Sequence, residues 1–84
     1  MSQKLFHVSS TFSDAFLTGR ITIVFDDPEL SKVEIVNQLL LQESKKLHGI
    51  HDFPPGRKIV ADHISGEPRD REWVYQIRLQ PLEP

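Results

Sequence analysis

Residues 27–49 read DPELSKVEIVNQLLLQESKKLHG, and this stretch decides the fold. It carries the start signal, apolar stripe and stop signal of one amphipathic helix. Asp27 can cap exposed amides, Pro28 is tolerated at the first helical position, and Glu29 suits the positive end of the helix dipole. Ser31 and Glu34 offer a second start, as a capping box. At about 100° per residue, Val33, Val36, Leu39, Leu40 and Leu47 share one face. Lys45, Lys46 and His48 load the last turn with donors, and Gly49 is a natural left-handed stop. The spacing predicts a helix from Pro28 to His48.

On both sides of this helix the pattern changes to alternation. Lys4 to Phe12 places Phe6, Val8, Ser10 and Phe12 on one side and Leu5, His7, Ser9 and Thr11 on the other. Arg20 to Phe25 puts Ile21, Ile23 and Phe25 on one face. A turn at Ser13-Asp14 would pair Phe6 with Ile21 and Ser10 with Leu17. The competing reading is a short helical turn bearing Phe12 and Phe16 and closed by Gly19. After the helix, Phe53-Pro54-Pro55-Gly56 forms a loop, and Pro55-Gly56 suits a type II turn. Lys58 to Ile64 reads as a third strand and Ser65 to Asp70 as a polar connection. Glu72 to Leu79 reads as a fourth strand with Trp73, Tyr75, Ile77 and Leu79 pointing one way; Pro81 and Pro84 end the regular structure.

The order ββαββ predicts an α+β two-layer sandwich: one helix on a small, mainly antiparallel four-stranded sheet. The helical crossover between two hairpins favours one parallel pair. Val36, Leu40, Ile23 and Ile77 are expected to be buried together. The first and last strands are expected at the sheet edges, guarded only by Lys4, His7 and Arg78.

Composition bounds the function. The 84 residues favour one domain, 1–84, with a thin core drawn from 38% apolar residues. The absence of cysteine excludes disulfide scaffolds, thiol chemistry and Cys-ligated zinc. A net charge of −2, evenly divided along the chain, disfavours a polyanion partner. The longest apolar run, Leu39-Leu40-Leu41, is far too short for a membrane span, and the start of the chain has no signal-like apolar region. The expected setting is cytoplasmic.

Several candidate sites compete with plainer readings. His48 and His51, with Asp52 beside them and Asp62 and His63 as further candidates in space, are weak metal candidates, since zinc accepts His and Asp. In a Gly-containing loop, though, His48 can simply serve the helix C-terminus while His51 is solvated. Arg57 with Lys58 and Arg69 with Arg71 form two basic loops. At one end of the sheet they could grip phosphates, with Trp73 or Tyr75 as a stacking platform. The plainer reading makes Arg69-Asp70-Arg71-Glu72 a self-paired turn and the two aromatics core. Glu43 falls inside the helix stripe, either as a buried acid or at an overhanging end in water. Ile35 and Leu41 lie outside the stripe, as a partner contact or the rim of a wide core face. His7, Phe16, Val24 and Val74 lie on the sheet face away from the helix, whose mixed character suits protein contact. Ser9 or Ser10 with His7 lacks an orienting acid or oxyanion signal.

The first expectation is a small non-enzymatic protein-binding module without a cofactor. It would act as a homodimer or on a host protein, in the manner of the small accessory proteins of phages and mobile elements. Its expected contact surface comprises Ile35, Leu41 and the basic loops. A nucleic-acid-binding domain using Arg57, Lys58, Arg69 and Arg71 is the alternative, and a metal-dependent enzyme at the His48/His51 loop is a third.

Overall fold

The computed structural model describes residues 5–51, 53 and 56–81. Its elements run β1 (Phe6–Ser13), β2 (Thr18–Phe25), a 3-10 turn (Pro28–Leu30), α1 (Val33–Ile50), β3 (Arg57–Ser65) and β4 (Glu72–Pro81). The four strands form one sheet in the order β1-β2-β4-β3, with the helix on one face. This is the expected ββαββ two-layer α+β fold.

Every neighbouring pair is antiparallel, so the expected parallel pair does not form. The crossover logic still holds at the level of direction. Both β2 and β3 run opposite to β4, hence parallel to each other, but β4 lies between them. The result is a split β-α-β unit. One consequence corrects the edge assignment: β4 is an interior strand, and the edges are β1 and β3.

The first hairpin forms, with its turn at residues 14–17 rather than Ser13-Asp14. Phe6 therefore pairs with Phe25 and Ser10 with Ile21. Relative to the expected register this is a slip of four residues. An even slip returns every side chain to the same face, so the inward set is retained. Gly19 lies opposite Phe12, inside the sheet rather than closing a helical turn.

The helix start is also displaced. Asp27 does cap, but its carboxylate accepts from the Glu29 amide to start the 3-10 turn, not the α-helix. The helix begins at Val33 with no side-chain cap. The Ser31/Glu34 capping box is not made because Ser31 is fully buried and its Oγ accepts a 2.7 Å hydrogen bond from Trp73 Nε1. Nor does Gly49 stop the helix: it lies within the last turn and keeps an ordinary φ, and Ile50 follows it in the helix.

The core joins Ile21, Ile23 and Phe25 of β2 and Trp73, Tyr75 and Ile77 of β4 to Val36, Leu39 and Leu47 of α1. Of the expected quartet, Val36, Ile23 and Ile77 are fully buried, whereas Leu40 is only half-buried. The buried stripe runs through Val36, Leu39, Glu43 and Leu47, and the helix lies over the β1–β2 half. Leu40 and Val33 therefore fall on its flank, with Val33 exposed. Burial pushes the Tyr75 hydroxyl up from its ordinary value of 10.0.

Ser31 ties three segments together. Besides the Trp73 bond, its carbonyl accepts from the Arg69 amide, which holds the β3–β4 turn against the helix start. Ser31→Ala is expected to leave the Trp73 indole N–H buried without an acceptor. The cost should be about 1–3 kcal/mol in urea melts, with a shift in tryptophan emission. A melt superimposable on the wild type would show that the bond contributes nothing.

Candidate functional site

The most distinctive surface is the outer edge of β1. The Asp26 amide donates to the Leu5 carbonyl at 2.8 Å, which identifies Leu5/Asp26 as a hydrogen-bonded pair. Bonded and non-bonded rows alternate along an antiparallel ladder, so His7, Ser9 and Thr11 also bond to β2. The main-chain N–H and C=O groups of Phe6, Val8, Ser10 and Phe12 therefore point to the free side. These same residues send their side chains toward the helix. A strand added at this edge would bond to them and face α1 as they do.

Beside this edge, between β1 and α1, lies a groove of about 510 Å³. Phe6, Val8 and Leu39 form its apolar walls, and Leu5, His7 and Gln42 line it as well. Leu5 and Phe6 are exposed, at 44% and 37%. Glu43 also lines the groove, yet it is only 7% exposed. One carboxylate oxygen accepts a 2.5 Å hydrogen bond from Ser10 Oγ. Glu43 thus does not overhang into water. Among the described residues, no Lys, Arg or His forms an ion pair with it.

The basic residues do not form one site. Arg57 and Lys58 open β3, while Arg69 and Arg71 lie in and just after the turn at its other end. The nine-residue β3 strand, roughly 25 Å long, runs from the first pair to the turn that holds the second. This corrects the expectation of two basic loops at one end. Trp73 and Tyr75 point to the helix side and are buried, so they cannot serve as stacking platforms. Arg69 holds a left-handed conformation in the turn, where the Asp70 amide bonds to Glu67.

Ile35 and Leu41 do not form one patch either. Six residues apart, they point about 120° from each other around the helix. Ile35 is half-buried against the core, and Leu41 is 58% exposed. His48 and His51 both flank Phe53: the His48 ring meets it edge-on at 4.9 Å and His51 stacks on it at 5.8 Å. His51 Nδ1 also lies 3.1 Å from Asp14. Asp52 lies outside the described residues. His63 is on the opposite edge strand, three strand spacings away (roughly 14 Å), with its Nε2 against the Gly66 carbonyl. Among the described residues no group of three His, Asp or Glu side chains is placed to hold a metal ion.

The face of the sheet away from the helix is mainly polar. His7 pairs with Asp26 and Arg78 with Asp62, both exposed, and Val24 and Val74 are half-buried. Phe16 projects from the hairpin turn at 78% exposure. Among the described residues no helix is long and apolar enough to cross a membrane. No family model matches the chain, and no curated protein or solved structure resembles it significantly.

The groove was missed at the sequence level, although its signal was present. Ser10 interrupts the inward face of the first strand and Glu43 interrupts the helix stripe. These are the two polar intrusions that bond to each other.

Proposed function

We propose that this chain is a non-enzymatic protein-binding module that uses the outer edge of β1 and the adjoining groove. One observation carries the reading: among the described residues the main-chain groups of Phe6, Val8 and Ser10 on the outer side are unpaired, and they run alongside an open, partly apolar groove. An exposed sheet edge is a template for another strand, and such edges are normally guarded. No proline interrupts β1, and it carries no lysine. The other edge, β3, is broken by an irregularity at His63/Ser65 and opens with Arg57 and Lys58, so it is the better guarded. Edge addition draws affinity from main-chain bonds and specificity from side-chain pockets, which matches a strand edge beside a groove.

The test is an edge block. Phe6→Pro removes one outward N–H at an exposed position. The variant, with its fold checked by circular dichroism, is expected to lose the protein partner that the wild type retains from a lysate. The Phe6, Val8 and Ser10 amides of the wild type should also gain hydrogen-exchange protection in the complex. A folded variant that retains every partner, with no protection at these amides, would reject the edge.

The nucleic-acid reading has weaker support, since its four cations are split between the two ends of β3. A mixed oligonucleotide pool titrated at low salt is the direct comparison. Steeply salt-dependent binding that is lost on replacing Arg57 and Lys58 would favour that reading instead.

A further inference from the structure

The identity of an edge partner is constrained by the Glu43 carboxylate. A buried carboxylate is costly unless paired, and here one oxygen accepts a single hydroxyl bond while the group borders an open groove. We propose that the partner is an extended peptide segment, paired to the outer edge of β1, that presents a Lys or Arg to Glu43. Two and four residues along, the same segment places aliphatic side chains beside Val8 and then Phe6 in the groove. This rests on the proposed role of the β1 edge and adds the chemistry of its occupant.

The spacing follows from strand geometry. An incoming strand would lie about 4.8 Å from β1, and its residue opposite Ser10 would face the helix as Ser10 does. Ser10 Oγ already touches Glu43, so a basic side chain of ordinary length reaches the same carboxylate. Successive side chains on one face are two residues apart, roughly 7 Å. The neighbouring inward residues of the segment therefore fall opposite Val8 and then Phe6, along the apolar wall. The resulting signature is a basic residue followed or preceded, at alternate positions, by aliphatic ones.

Charge complementarity argues against simple pairing of two β1 strands. The strand reads Phe-His-Val-Ser-Ser-Thr-Phe-Ser from Phe6 to Ser13, with no Lys or Arg. Pairing residues 6–13 with themselves would bring no strongly basic group to either Glu43; Lys4, two residues before Phe6, lies outside the described residues. The β3 strand of another copy is a competing occupant, because Arg57 and Ile59 share a face at the required spacing. Such head-to-tail pairing would continue from copy to copy and give filaments rather than a closed dimer.

The probe is a fluorescein-labelled nine-residue peptide of alternating threonine and valine, with its second valine replaced by lysine. Norleucine and glutamate versions serve as controls. By fluorescence anisotropy, the lysine peptide is expected to bind about tenfold or more tightly than the glutamate peptide. Glu43→Gln, which keeps an acceptor for Ser10, should reduce that ratio to below about threefold while its thermal melt stays cooperative. Equal binding of all three peptides, with protection of the Phe6, Val8 and Ser10 amides, would overturn the Glu43 pairing yet leave the edge in place. Failure of every peptide to protect those amides would overturn both. Concentration-dependent growth of filaments by sedimentation, abolished by Arg57→Gln, would replace the peptide with a second copy.

Discussion

Phe25→Ala is expected to cost about 3–5 kcal/mol, among the largest losses from a single truncation of the core. Phe25 ends β2 and is fully buried. Its ring lies 6.4 Å from that of Phe6, and its amide donates to the Arg71 carbonyl at 2.7 Å. Truncation would remove the largest fully buried side chain and leave a cavity that rigid strand neighbours on both sides cannot close. A small domain holds roughly 5–15 kcal/mol in total, so the variant is expected to be partly unfolded at 37 °C. Leu40→Ala provides the internal contrast. Because Leu40 is only half-buried on the flank of the stripe, it should cost about 1–2 kcal/mol. Urea melts of both variants check the order, and a Leu40 loss as large as the Phe25 loss would place the helix face incorrectly.

That contrast shows which parts of the fold were legible in the sequence. Element types and inward faces followed from periodicity, because alternation of Ile21-Ile23-Phe25 and the helical spacing of Val36, Leu39 and Leu47 leave few alternatives. Boundaries were less legible, for a tertiary reason. Ser31 looks like a helix cap locally, but its hydroxyl is taken by Trp73, 42 residues away. The cap signal at Asp27 was real but belonged to a 3-10 turn. The hairpin register slipped by four residues because alternation repeats every two and cannot fix an even offset.

The candidate site was less legible than the fold. Whether a strand is an edge depends on strand order, which no local pattern records. Inserting β4 between β2 and β3 moved the last strand inside and exposed β3. The length of β3, by contrast, is what puts Arg57 and Arg69, 12 residues apart in the chain, at opposite ends of that strand. Glu43 shows the opposite case. Its place in the apolar stripe was visible, and so was the polar break at Ser10, but 33 residues separate them. Only the register of β1 against the helix joins them. Polar residues that interrupt two apolar faces are thus worth reading as a possible pair.

Gly19→Ala is expected to cost several kcal/mol, roughly 3, although it adds one methyl group. Built on the backbone, a Cβ at Gly19 would lie 2.1 Å from the Thr11 carbonyl oxygen and 2.9 Å from Phe12 Cα. Both are main-chain atoms of the paired strand, so no side-chain rotation relieves the overlap. β1 must move away from β2, and the ladder bonds near the hairpin must lengthen or break. Gly49→Ala is the control of opposite sign. Gly49 lies in the last turn of α1 and has nothing within 4 Å of a Cβ position, so alanine should raise stability by about 0.5–1 kcal/mol through helix propensity. The same substitution is therefore predicted to destabilise at one glycine and stabilise at the other. Because β1 also carries the proposed binding edge, Gly19→Ala should speed exchange at the His7, Ser9 and Thr11 amides and weaken partner capture, while Gly49→Ala should change neither. Equal stability of the two variants in urea would mean that β1 and β2 do not approach each other as closely at Gly19 as the fold requires.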